Sequence, residues 1–134
     1  MNNMQFRPPM FLQTSEERQM GLFLHLSPLL GLFIPAAGIV LPIILWQTQR
    51  DKMPALDRHG KMVVNWMISS FIYVVCSIPL FIVSLMLIGI PFFLIFILFW
   101  LAFVAVSIAF PIIGGIKANN GEFWEYPLTI KFLK

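Results

Sequence analysis

Residues 84–110 read SLMLIGIPFFLIFILFWLAFVAVSIAF and contain no Asp, Glu, Lys or Arg. The charge-free stretch is longer still, running 55 residues from Met62 to Ile116. A second one covers 31 residues, Gln19 to Gln49. A bilayer crossing needs about 20 apolar residues, so the chain reads as an integral membrane protein. Only helices or closed barrels cross lipid, because every backbone polar group must be paired internally. Barrel strands alternate over about ten residues, and this stretch does not alternate. The expected fold is all-α and polytopic.

Composition agrees. The chain is 59% apolar and 11% charged, against about 45–50% and about 25% in soluble domains. Its 134 residues suggest one domain, taken as residues 15–134 behind an N-terminal tail of 1–14. The net charge of +3 fits the cytoplasmic bias of Lys and Arg in membrane proteins better than nucleic-acid binding. One cysteine, Cys76, permits no internal disulfide. The N-terminus lacks a signal-peptide layout, so the chain is read as mature.

Local signals place the helices. Thr14 and Glu17 form a capping-box pattern, so a helix starts near Ser15. The run 19–49 is interrupted by Pro28, Gly31, Pro35, Gly38 and Pro42. As one straight helix it would span about 46 Å, longer than the hydrocarbon core of about 30 Å. It is one kinked helix, a re-entrant loop or a short hairpin turning near GLFIPAAG. Charge favours the hairpin, which puts all nine basic residues on one face, the cytoplasmic one by the positive-inside bias. Four segments follow, near 15–33, 36–49, 62–88 and 92–117: a four-helix bundle of two hairpins, the first short and broken by Pro and Gly. Pro54 suits the first turn of the third helix, GIP at 89–91 makes a turn, and ANNG at 118–121 ends the last helix. The implied location is the bacterial inner membrane, multi-pass, with both termini cytoplasmic.

Six of the fifteen charged residues fall within 50–61. Arg50, Lys52, Arg58 and Lys61 there are candidates for binding an anionic leaflet or a partner; the plainer reading is topology anchoring and an Asp57–Lys61 pair. From Asp57 a stripe follows at four-residue steps through Lys61, Asn65, Ser69, Tyr73 and Ser77, on one helix face. His25, Asn65, Ser69 and Tyr73 are the candidate intramembrane polar residues. For His25 the plainer role is a neutral imidazole bonded to Ser27, Asn65 or Ser69, and for Asn65 a bond to the first hairpin. Trp124 and Tyr126 read as an interfacial anchor. Ala102, Ala105 and Ala109 read as a face for close helix packing, and Phe92, Phe93, Phe96, Phe99 and Phe103 as lipid-facing bulk.

SEERQMGLFLHLSPLLG (15–31), IPAAGIVLPIILWQTQRDKMPALDRHGKMVVNWMIS (34–69) and GIKANNGEFWEYPLTIKFLK (115–134) resemble small bacterial membrane proteins of a domain-of-unknown-function family grouped with the chloroplast import component Tic-twenty. Val64 and Trp66 depart mildly from that pattern. The resemblance implies four membrane helices with both termini on one side, and no reaction.

Catalytic signatures are absent from the sequence: no HExxH, no GxSxG and no phosphate loop. Two histidines alone do not make a typical zinc site. No catalytic residue, metal or cofactor is expected. The function expected is that of a non-enzymatic subunit or scaffold of an inner-membrane complex, of translocon-like kind, with membrane lipids and either a membrane-protein partner or further copies of itself as partners. The rival is a homo-oligomeric transporter or channel using His25 and Asn65 beside the proline-broken segments.

Overall fold

The computed structural model describes residues 11–87 and 89–134; most of the proposed tail of residues 1–14 lies outside them. Four α-helices and no strand occur among the described residues: α1 (Ser15–Leu26), α2 (Pro35–Gln49), α3 (Pro54–Leu87) and α4 (Ile90–Asn119), with a 3-10 segment at Ser27–Leu32 joining α1 to α2. The expected signals mark the ends. Thr14 Oγ1 accepts from the Glu17 N–H, and the Glu17 carboxylate accepts from the Thr14 N–H, closing the capping box. Pro35, Pro54 and Pro91 stand in the first turns of α2, α3 and α4, where a missing N–H costs nothing. Gly121, at φ 84, turns the chain out of α4.

The two hairpins are unequal. At 34 and 30 residues, α3 and α4 are about 51 and 45 Å long and apolar enough to cross a membrane. At 12 and 15 residues, α1 and α2 are about 18 and 22 Å long. The first hairpin is thus the compressed one the prolines indicated. Gly38 lets it close: a Cβ there would lie 2.4 Å from Gly31 Cα. Its tip, with Leu32 and Pro35, shares a cleft of about 390 Å³ with Phe103 and Val104, midway along α4.

Burial follows the same division. Leu12, Leu24, Trp46, Leu56, Val63 and Ala118 form one core cluster, and Met62, Trp66 and Tyr126 a second. Both lie at the end where α1 and α3 begin and α2 and α4 finish. The N-terminal segment joins that end, since the Leu12 N–H donates to the Gly121 carbonyl at 3.1 Å, and Leu12 is buried rather than loose. The far halves of α3 and α4 expose apolar side chains on their outer faces, with Met86, Ile90 and Leu98 among the most exposed. An apolar surface of that extent belongs in lipid.

Close helix packing does not use the alanines expected for it. Ala102 and Ala105 are exposed. The tight contact lies about two and a half turns beyond Ala105, where Gly114, Gly115 and Ala118 admit α1. The phenylalanines also divide. Phe92 and Phe99 are exposed, whereas Phe93 and Phe96 stack on Phe81 and Phe103 stacks on Tyr73. Aromatic side chains of the facing helix take those three out of the lipid-facing set.

Candidate functional site

The polar side chains of the bundle converge on its C-terminal segment, residues 122–134, which has no regular structure. An irregular chain beside membrane helices needs partners for its backbone groups, and α3 supplies them. The Tyr126 N–H points at Met62 Sδ, 3.4 Å away. The Ile130 N–H donates to Ser69 Oγ at 2.9 Å. Asn65 binds both sides of one residue: Nδ2 donates to the Leu133 carbonyl at 2.9 Å, and Oδ1 accepts from the Leu133 N–H at 2.8 Å. Tyr73 Oη donates to the Leu128 carbonyl. The segment runs along α3 to the level of Tyr73 and returns, turning at Pro127–Leu128, where Leu128 adopts a left-handed φ of 64°. Thus three of the four candidate intramembrane residues, Asn65, Ser69 and Tyr73, hold backbone rather than a neighbouring helix.

The fourth, His25, joins a buried network. Its Nδ1 lies 2.6 Å from Tyr126 Oη and its Nε2 lies 2.9 Å from His59 Nδ1. His25 and His59 are each 1% exposed and Tyr126 is 3% exposed. Gly114 of α4 makes the room: a Cβ there would stand 2.6 Å from Tyr126 Oη and 2.7 Å from His25 Nδ1. With both imidazoles neutral, Tyr126 donates to His25 and His25 donates to His59, leaving only the His59 Nε2 proton unpaired. The opposite order strands the Tyr126 proton as well, so the first assignment costs less. Burial pushes the Tyr126 phenol up from its ordinary range, which keeps that proton in place.

The charged linker is arranged around Trp46. Its indole N–H donates to Asp57 Oδ1 at 2.9 Å, and the other Asp57 oxygen pairs with Lys61 at 2.6 Å. Arg50 lies beside Asp51 and 5.9 Å from the Trp46 ring centroid. Arg50, Asp51, Pro54, Asp57 and Lys61 ring an open cleft of about 490 Å³. Arg58 points elsewhere, 3.8 Å from the Phe123 ring centroid, and Lys52 is exposed in the linker. The four candidate basic residues are therefore not one patch. Removing the Asp57 charge should have a small effect, because the pair is about a third exposed and such pairs contribute about 1 kcal/mol or less. Asp57→Leu is expected to lower stability in detergent by about 1–2 kcal/mol, counting the lost indole bond; a larger loss would show that the linker carries the fold.

The profile of the MamF/MmsF family, described as the magnetosome magnetite crystal formation protein family, matches residues 16–133. The chain belongs to this family. Comparison with curated proteins and with solved structures gives no match. Membership overturns the resemblance to the Tic-twenty grouping. The blocks behind that resemblance mark a helix cap, an interface loop and the turn after α4. Any chain folding as two membrane hairpins needs such punctuation, so it carries architecture more than family.

Three further sequence expectations change here. His25 bonds neither Ser27, Asn65 nor Ser69: the Ser27 hydroxyl turns back to the Leu24 carbonyl, and the tail occupies the other two. Asn65 does not bond the first hairpin, because both ends of its amide are taken by Leu133. Tyr126 is no interfacial anchor but the buried partner of His25. Two network members, His59 and Tyr126, were not singled out from the sequence as intramembrane polar residues. The available signal was that His25 and His59 are the chain's only histidines.

Proposed function

We propose that this chain is a non-enzymatic scaffold subunit of the magnetosome membrane, acting in the process its family is named for, magnetite crystal formation. The observation that carries the reading is the family match across residues 16–133. The geometry supports the scaffold part of it. Buried His25, Asn65 and Ser69 bond to the chain's own tail or to His59, and the apolar outer faces of α3 and α4 are left for lipid, membrane partners or further copies. His25 and Asn65, on which a transport path would depend, are closed in by Tyr126, His59 and Leu133, which disfavours the channel reading.

The end of the bundle that holds the described basic residues faces the cytoplasm in this proposal, as the positive-inside bias requires. Both termini then lie on that side. Arg50, Lys52 and Lys61 meet the anionic leaflet there, each contributing about 1 kcal/mol, while Arg58 holds the tail through Phe123.

The test is complementation. A magnetite-forming bacterium lacking its own family member should regain its normal crystal size distribution, seen by electron microscopy, when this chain is supplied. A chain that inserts in the membrane at normal levels but leaves the crystals unchanged would sink the proposal.

A further inference from the structure

The C-terminal segment is held in two ways that respond differently to acid. Along α3 its backbone bonds to Asn65, Ser69 and Tyr73, groups that do not titrate between pH 5 and 8. At its root, Tyr126 is fixed by the imidazole of His25, itself fixed by His59. Histidine is the side chain whose charge changes in that pH range. These are the only two histidines in the chain.

The surroundings suit a neutral pair and no other state. Phe123 packs edge-on against the His59 ring, with centroids 5.2 Å apart. From α4 the site is faced by Gly114, which brings no charge. From α3 the adjacent charge is Arg58, whose guanidinium lies over the Phe123 ring. From α1, Arg18 is turned to the Leu12 carbonyl at 3.3 Å. No carboxylate contacts either ring among the described residues. Asp57 is engaged by Lys61 and Trp46, Glu122 by Lys117, Glu125 by Lys131, and Glu17 by the backbone of Gln13 and Thr14. Asp51 is beside Arg50, and Glu16 lies in the exposed first turn of α1. A proton taken up by the pair would be a buried cation with no counter-ion beside Arg58, which burial strongly disfavours. It would also occupy a nitrogen lone pair that now accepts a hydrogen bond, at His25 Nδ1 or His59 Nδ1, unless it displaced the network.

We propose that residues 122–134 form a proton-sensitive strap, latched against α3 while His25 and His59 are both neutral and released at its Tyr126 root when the pair takes up a proton. The sign follows from linkage. The docked state binds fewer protons than the released one, so docking is complete above the ordinary histidine range and weakens as pH falls below about 6.5. Release at the root frees the Tyr126 backbone from Met62, while the bonds to Asn65, Ser69 and Tyr73 keep the rest of the segment on α3. This inference does not depend on the role in magnetite formation.

The experiment uses the full chain in lipid nanodiscs, with Cys76→Ser and spin labels on Lys52→Cys and Glu125→Cys, both exposed positions, the second beside the Tyr126 root. Distance distributions are recorded by double electron–electron resonance from pH 8 to pH 5. One narrow distance is expected at pH 8, with a broad released population growing about tenfold per pH unit below about 6.5 for uptake of one proton. The double variant His25→Gln with His59→Asn keeps amide groups but cannot titrate, and should show no change with pH. Tyr126→Phe should raise the released population at every pH, because the root bond is gone. A wild-type distribution unchanged between pH 8 and pH 5 overturns the proposal, and so does a double variant that keeps the transition. If the double variant does not fold, the wild-type series decides alone.

Discussion

Gly114→Ala should destabilise the detergent-solubilised protein by about 3 kcal/mol, although glycine-to-alanine in a helix ordinarily gains about 1 kcal/mol from propensity. The added methyl would stand 2.6 Å from Tyr126 Oη and 2.7 Å from His25 Nδ1. Neither ring has room to yield, since both are buried and bonded to each other at 2.6 Å. The methyl therefore drives α1 from α4 or breaks the network, and a broken network leaves buried polar atoms unpaired at about 1–3 kcal/mol each. Gly115→Ala is the control. Its methyl would meet Leu22 Cδ1 at 3.0 Å and Leu26 Cγ at 3.3 Å, apolar side-chain atoms that need give by only a few tenths of an ångström. Thermal melts of the two variants should differ clearly. A Gly114→Ala protein as stable as wild type would show that the three elements are not held as close as described.

The second large effect is expected at Asn65. Asn65→Leu removes two hydrogen bonds and leaves the Leu133 N–H and carbonyl without partners. The net value of such bonds is about 1 kcal/mol each, with a further penalty for groups left buried and unsatisfied. A loss of about 2–4 kcal/mol is expected, with the tail becoming open to protease. An average interhelical hydrogen bond in a membrane contributes only about 0.6 kcal/mol, and a loss that small would contradict the tail-binding role. The order against Asp57→Leu matters too. Read from the sequence alone, the concentration of charge in 50–61, between the two hairpins, makes Asp57 the costlier loss. The geometry reverses this, because Asp57 is about a third exposed to water while Asn65 replaces water for a returning backbone.

How much of this is legible in one dimension depends on the range of the interaction. The 55-residue charge-free run specifies two lipid-facing helices, because lipid leaves the backbone no alternative. Helix ends are local as well, and Thr14, Pro35, Pro54 and Gly121 act within a turn of themselves. The prolines and glycines of the first apolar run allow a short hairpin among other readings, and the one-sided placement of the basic residues favours it. The i+4 stripe on α3 is visible too, but not its occupant. A polar stripe on a membrane helix has the same periodicity whether it faces a helix or an extended chain. Only tertiary structure brings residues 126–133 back across Asn65, Ser69 and Tyr73, more than 50 positions away in the chain. The His25–His59–Tyr126 network is of the same kind. Each member alone has an ordinary reading, as a core imidazole, a neutral neighbour of the charges in 50–61 and an interfacial ring. What joins them is the absence of a side chain at Gly114, on a fourth element. An empty volume has no signature in sequence until the elements around it are in place.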